Sequence, residues 1–154
     1  MRKIIYTDGS HLKHTTGRLG IGGIIVDSSG KVVDKFSEEI DVKWLMNTYG
    51  TSDVSNPTCE MLAVLVALRK FNLVPGDEVI IKADYQGVMC WLNNTWKAKK
   101  PYIKAIKDDI LKEIESLGLK GKVSFEWVKG HQTGPSLGKD AMFNGMVDKL
   151  AKGL

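Results

Sequence analysis

Four acidic residues in this chain sit where ordinary packing does not call for them. Asp8 follows Ile4-Ile5-Tyr6-Thr7, a β-branched and aromatic run that reads as a short strand ended by Asp8-Gly9-Ser10. Asp84 closes the apolar strand over residues 79–83. In a sheet with parallel neighbours, the crevice beyond the carboxyl ends of strands is where ligands bind. Glu60 has Ala63, Val64, Ala67 and Phe71 as its neighbours at helical spacing, so it shares a face that should pack on the sheet. A carboxylate there is costly unless it is paired or holds a metal. Asp148 stands four residues after Asn144, beside an apolar face marked by Phe143, Met146, Val147 and Leu150.

Taken singly, each acid has an ordinary reading. Asp8 and Asp84 could form turns or cap helices, Glu60 could snorkel from a first helical turn, and Asn144–Asp148 could be a surface pair. Together they describe a hard, oxygen-rich site without His or Cys ligands, which suits Mg²⁺ or Mn²⁺ rather than zinc. Two such ions about 3.5–4 Å apart can activate water and hold the attacking and leaving oxygens of a phosphodiester displacement. Without a cation the acids would repel one another. No Ser–His–Asp or Cys–His constellation competes with this reading.

The elements that must carry these acids follow from periodicity and turn signals. Strands are predicted over residues 4–7, 21–27 and 31–40, with a hairpin turn at Asp27-Ser28-Ser29-Gly30 and close approach of another element permitted at Gly22 and Gly23. Residues 41–56 read as irregular. Asn56 as N-cap with Pro57 at the first helical position starts a helix running to about Phe71. After the strand over 79–83, helices are predicted from Asp84 to about Asn94 and over 102–117. A last strand spans 122–128, a loop 129–138 and a last helix 139–152. Three meandering strands followed by strand–helix alternation predict one α/β domain over residues 1–154, a mixed sheet covered by helices.

Composition agrees with that size of core. Of 154 residues, 43% are apolar, 26% are charged and 16 are glycine, which excludes a disordered or fibrous chain. No apolar run approaches the roughly 18 residues of a membrane span, and Asp8 comes too early for a signal peptide. The chain therefore reads as soluble and cytoplasmic. Cys59 and Cys90 show no metal-ligand spacing and read as buried, reduced thiols of an intracellular protein. The net charge of +4 permits a polyanionic partner. Its distribution says more, because Lys97, Lys99, Lys100, Lys104 and Lys107 follow Trp96 with no acid among them. Aromatics among lysines can stack on bases or sugars while the lysines follow phosphates. The alternative is a solvated helix start with two core tryptophans, Trp91 and Trp96.

The chain resembles the type 1 ribonuclease H family. The matching pieces are Tyr6-Thr7-Asp8-Gly9-Ser10, Asn56-Pro57-Thr58-Cys59-Glu60-Met61-Leu62-Ala63, Ala83-Asp84-Tyr85-Gln86-Gly87-Val88, Trp127-Val128-Lys129-Gly130-His131 and Asn144-Gly145-Met146-Val147-Asp148-Lys149-Leu150-Ala151. Each is weak alone, but all five occur in order across residues 6–151. The resemblance implies the ribonuclease H-like fold, a five-stranded mixed sheet of three antiparallel strands and then two parallel ones, flanked by helices. It also implies hydrolysis of the RNA strand of an RNA–DNA hybrid, leaving 5′-phosphate and 3′-hydroxyl ends. Asp8, Glu60, Asp84 and Asp148 match catalytic carboxylates that bind two Mg²⁺ ions, Mn²⁺ substituting, with the Gly9 backbone beside them. His131 matches a histidine that assists proton transfer or product departure.

By the same resemblance, Gly9, Ser10, Asn56 and Gln86 contact the RNA strand and its 2′-hydroxyls, the group that distinguishes RNA from DNA. Ser55 stands where a Thr commonly holds a DNA phosphate. Asn94, Trp96, Lys97, Lys99 and Lys100 fall in the region of a basic handle over the DNA strand, here abbreviated, and Asn144 joins the substrate contacts. An Asn-Asn pair of the family is Asn56-Pro57 here. The expected partner is a hybrid duplex, with no membrane, bound by a monomer. Two other readings stay open: a non-catalytic nucleic-acid-binding relative, and a DNA-directed resolvase or exonuclease on the same core.

Overall fold

Strand β1 (Arg2–His11) organises the protein, because among the described strands it is the one with both an antiparallel and a parallel neighbour. The structure, a computed structural model, describes residues 1–11, 18–129 and 138–154. β1 pairs antiparallel with β2 (Arg18–Val26) from Ile4↔Val26 to His11↔Leu19. It pairs in parallel with β4 (Glu78–Ala83) over a shorter stretch, from Arg2↔Glu78 to Tyr6↔Lys82. β3 (Val32–Asp41) lies antiparallel on β2, and β5 (Val123–Trp127) lies parallel on β4. The order β3-β2-β1-β4-β5 is the expected mixed sheet, with three antiparallel strands joined to two parallel ones.

Alternation along β1 divides the core. Ile5 points to one face, into the core built on α2 (Asn56–Lys70) with α4 (Pro101–Ser116) beyond it; Tyr6 points to the other, where α5 (Lys139–Ala151) lies. Helix α2 is buried on most of its surface, from Thr58 through Val64 to Leu68, because it is held between the sheet and α4. Helix α4 presents the stripe Ile103, Ile106, Ile110 and Ile114 to this core. On the second face Phe143 and Val147 of α5 pack on Tyr6, Ile24 and Val26. The hairpin at Asp27 forms as expected: its carboxylate accepts from the backbones of Ser29 and Lys31, at 2.9 and 3.0 Å. Among the described residues, no helix is long and apolar enough to cross a membrane.

Four sequence expectations need correction. First, Gly9-Ser10 does not end β1, since pairing with β2 carries the strand on through Gly9↔Ile21 and Ser10↔Gly20. Second, residues 41–56 are not wholly irregular. They contain α1 (Val42–Tyr49), capped by the Asp41 carboxylate on the Lys43 N–H at 2.9 Å and closed by Gly50 in the left-handed region at φ 69°. Its Leu45 is fully buried, and Tyr49 donates to Asp109 of α4 at 2.7 Å. Third, the N-cap of α2 is Ser55, not Asn56. Pro57 is tolerated one position further in, because the first four N–H groups of a helix have no acceptor within it. Fourth, the helix after β4 is shorter than predicted. It is α3 (Gln86–Leu92), which leaves Asp84 outside the helix and ends before Asn94, whose φ is 61°.

Candidate active site

The parallel register ends at Tyr6↔Lys82, so the next residues on the same face are Asp8 and Asp84, at the point where β1 and β4 part. Two glycines then let a helix approach from each side. A methyl group on Gly9 would lie 2.4 Å from the Cys59 carbonyl carbon and 2.6 Å from the Glu60 nitrogen. Only a residue without Cβ lets the first turns of α2 lie that close, and this brings Glu60 over Asp8. Gly22 faces Asp8 across the β1–β2 ladder. A methyl group there would lie 2.7 Å from the Ala151 nitrogen and 2.9 Å from the Val147 carbonyl oxygen, so α5 is seated on it with Asp148 beside Asp8.

The result is a carboxylate cluster. Asp8, Glu60 and Asp84 each offer an oxygen within 4.8 Å of the others. Asp8 and Glu60 are both buried, at 4% and 3% exposure. The Gly9 N–H donates to Asp8 Oδ1 at 3.0 Å. Burial, followed by a hydrogen bond with Asp8 and the charges of Asp8 and Asp84, holds the Glu60 carboxyl well above its ordinary range. Asp8 is pushed up to about 7, chiefly by burial and further by Asp84 and Asp148, while its hydrogen bond with Glu60 acts in the opposite direction. Asp148 therefore borders the cluster through Asp8, and its outer side is held by Lys152 at 3.0 Å. The Asp84 side chain receives the Asn144 amide at 3.4 Å, and its carbonyl accepts from the Trp127 indole at 3.1 Å.

One oxygen of Glu60, Oε2, is buried without a hydrogen-bond partner, and so is Oδ1 of Asn144. A native protein leaves such groups unmet rarely, and service to an ion is one of the standing reasons. Oxygen donors only, crowded and partly unsatisfied, fit a hard divalent cation. The acids as found would hold one.

The remaining residues singled out in the sequence divide by place. Ser10 lies on β1 just beyond the cluster, half-buried. Ser55 precedes α2, its backbone N–H bonded to Asp53 at 2.8 Å, and Asn56 and Gln86 are exposed first residues of α2 and α3. Asn144 is buried within the cluster, against Asp84. Lys97, Lys99 and Lys100 line a cleft of about 320 Å³ beside Pro57, Tyr85 and Trp91. Lys100 in that cleft is 3.7 Å from Asp53, which also accepts the Tyr102 hydroxyl. Asn94 and Trp96 line an adjoining hollow of about 470 Å³ with Lys97, Lys104 and Lys107. Trp96 is 49% exposed, so it is not a core tryptophan. Cys59 is buried and Cys90 half-buried, both as free thiols. His131 lies outside the described residues.

Sequence reasoning passed over two features of this site. The Trp127 indole braces Asp84, and its signal was a tryptophan at the very end of β5. Lys82 lies within an apolar strand, a misfit that calls for a polar partner; it finds one in Asp140.

The chain matches the family model described as RNase H over residues 1–153. It is 34% identical to the ribonuclease H of Paramagnetospirillum magneticum, covering 96% of this chain and 86% of that one. It is 31% identical to the ribonuclease H of Cupriavidus pinatubonensis, covering 96% and 97%. Among solved structures, LC11-RNase H1 isolated from compost superimposes with a TM-score of 0.73 at 20% identity, covering 99% of this chain and 94% of that one. The same protein in complex with an RNA/DNA hybrid superimposes at 0.70 and 19% identity, covering 98% and 94%.

Proposed function

The chain belongs to the ribonuclease H family, and from that premise we propose that it hydrolyses the RNA strand of RNA–DNA hybrids with the help of two Mg²⁺ ions, for which Mn²⁺ substitutes. The observation that carries this reading is the cluster of Asp8, Glu60 and Asp84 within 4.8 Å, with a buried Glu60 oxygen left unmet. A module that only bound nucleic acid would need cations on its surface, not carboxylates gathered at a strand end. Asp8, Glu60 and Asp84 would hold the ions, with Asp148 and the Gly9 backbone at the border. When bound, such ions activate water and stabilise charge on both the attacking and the leaving oxygen.

The chain's own residues do the rest. The ladder of β1, the Gly9 N–H and the packing of α2 fix Asp8 and Glu60 before substrate arrives, so no reorganisation is needed at the moment of reaction. Ser10, Asn56 and Gln86 stand exposed or half-exposed around the cluster, where they would meet the RNA strand and its 2′-hydroxyls together with the Gly9 backbone. Ser55 would meet a phosphate of the DNA strand, and Asn94, Trp96, Lys97, Lys99 and Lys100 would follow that strand further out. Asn144 would orient Asp84 as well as meet substrate, and His131 would assist proton transfer or product departure. The unit that does this is residues 1–154 acting as a single domain and a monomer.

One panel tests the reading. Labelled RNA–DNA hybrid, double-stranded DNA, double-stranded RNA and single strands are each offered with Mg²⁺ and with chelator. Cleavage confined to the RNA of the hybrid, dependent on the ion and leaving 5′-phosphate and 3′-hydroxyl ends, is the expected result. Cleavage of DNA would favour a resolvase or exonuclease, and hybrid binding without cleavage would reduce the protein to a binding relative.

A further inference from the structure

Helix α5 carries a second polar feature one turn before the site. Asp140, in its first turn, accepts the hydroxyl of Tyr6 and receives Lys82 Nζ at 3.1 Å on both carboxylate oxygens. Lys82 also lies 5.9 Å from the centre of the Tyr6 ring. Tyr6 is 2% exposed and Lys82 14%, whereas Asp140, at 47%, could have faced water instead. Burial and the Asp140 carboxylate together push the Tyr6 hydroxyl well up, so it remains a donor.

The place of this cluster matters more than its strength. Tyr6 and Lys82 are the last paired rung of β1 and β4, and Asp8 and Asp84 follow each by two residues. Asp140, Asn144 and Asp148 recur at four-residue intervals on α5, meeting the Tyr6–Lys82 rung, Asp84 and Asp8 in turn. Four helical residues advance about 6.0 Å and two strand residues about 6.6 Å, so the stripe keeps pace with the sheet for that step. The other holds lie further along α5 or lack direction. The Ser37 hydroxyl donates to the Leu150 carbonyl at 2.6 Å and Gly22 seats the last turns, whereas Phe143 and Val147 are apolar contacts and the start at Gly138 has no side-chain cap.

We infer that Tyr6, Lys82 and Asp140 form a pin that sets the height and rotation of α5, and through it where Asp148 and Asn144 meet Asp8 and Asp84. Tyr6, Lys82 and Asp140 are thus positioning residues, acting on catalysis through Asp148. Their catalytic consequence rests on the proposed function; their mechanical consequence does not.

The test uses two substitutions that preserve shape. Tyr6→Phe removes one hydrogen bond and no charge; Asp140→Asn removes the ion pair. Each should lower kcat on hybrid roughly tenfold, the size of one lost hydrogen bond to a charged group, with KM within about twofold. Added to Asp148→Asn, either should lower the residual kcat by clearly less than it does alone, because one of the residues being positioned is already disabled. In metal-free protein, backbone hydrogen exchange over residues 140–148 should quicken in both variants, by about tenfold or more, while β1 and β4 keep their protection. Losses that multiply with that of Asp148→Asn would overturn the pin, and so would unchanged exchange in α5 whatever the kinetics. If wild-type protein fails to cleave hybrid but α5 exchange quickens as stated, the pin stands and only the functional reading falls.

Discussion

Glu60 bears the clearest electrostatic cost in the molecule. It lies buried on a helix face shared with Ala63, Val64 and Ala67, with one oxygen unmet and Asp8 against the other. Because Asp8 is raised to about 7 and Glu60 is raised well, the native state keeps protons that the unfolded chain releases near its ordinary carboxyl values. Below those ordinary values both states are protonated and nothing is lost. As pH rises from there through about 7, the metal-free native state is progressively destabilised. Asp53 and Asp77, whose carboxyls are held low, act with the opposite sign, but below that window. Thermal melts in chelator from pH 4.5 to 7.5 should therefore show a falling contribution that Glu60→Gln removes, leaving the variant more stable than wild type at pH 7.5. A variant no more stable there would mean the acids are not crowded. Asp8→Asn should keep the fold and the hybrid affinity yet lose at least about 10²–10³ in rate, as for one preorganised electrostatic contact; activity within a few-fold of wild type at saturating Mg²⁺ would remove Asp8 from the chemistry.

Helices α2 and α5 reach the site because two strands carry glycine at the crossing points. Gly9→Ala would press on the α2 backbone and Gly22→Ala on that of α5, neither of which is a flexible side-chain end that could swing aside. Each should cost about 1–3 kcal/mol, as overpacking does, and lower activity beyond what the lost stability explains. Gly145 gives the control. It is exposed within α5 with open space around it, so Gly145→Ala should stabilise by roughly 1 kcal/mol in urea melts. If all three behave alike, close approach is not what those glycines serve. The same residues show what a sequence can and cannot tell. Strand composition and turn signals located every described strand, and apolar residues at helical spacing located α2, α4 and α5, α4 with a regular buried stripe. Glu60 was legible because it broke such a stripe. Gly9-Ser10 was misread as a turn, because glycine's signal for a turn and for close approach is the same; here the second applies. α1 carried its own caps, Asp41 and Gly50, but its eight residues are too few for a helical period to stand out. The Tyr6–Lys82–Asp140 cluster depends on the register of β4 and the seat of α5, which no local pattern encodes.

Charge is distributed unevenly over the described residues: acids gather where β1 and β4 part, and lysines gather beyond the starts of α2 and α3. A polyanion approaching this surface would be held on the lysine side and presented to the acid side, which its own charge would otherwise avoid. Not every lysine is equally available for that purpose. Lys100 has Asp53 at 3.7 Å and Lys107 bonds Asn94, whereas Lys97 and Lys99 are exposed in the cleft between α2, α3 and α4. If those two neutralise phosphates, each contributes to the slope of log K against log salt, by about 0.9 on a B-form duplex and about 0.7 on a single strand. Replacing Lys97 and Lys99 together by Gln should make the slope for hybrid binding shallower by roughly one to two units. KM should rise and kcat at saturation should hold, because phosphate contacts place the duplex while the proposed place of the carboxylates is at the reacting bond. Trp96→Ala, removing an exposed ring beside Lys97, should raise KM with no change of slope, since stacking releases no counterions. Binding titrations on one hybrid between about 50 and 200 mM salt measure all three proteins alike. An unaltered slope in the double variant would make the lysine-rich cleft a solvated face, and the duplex would then have to be held from the β1 and α2 side alone.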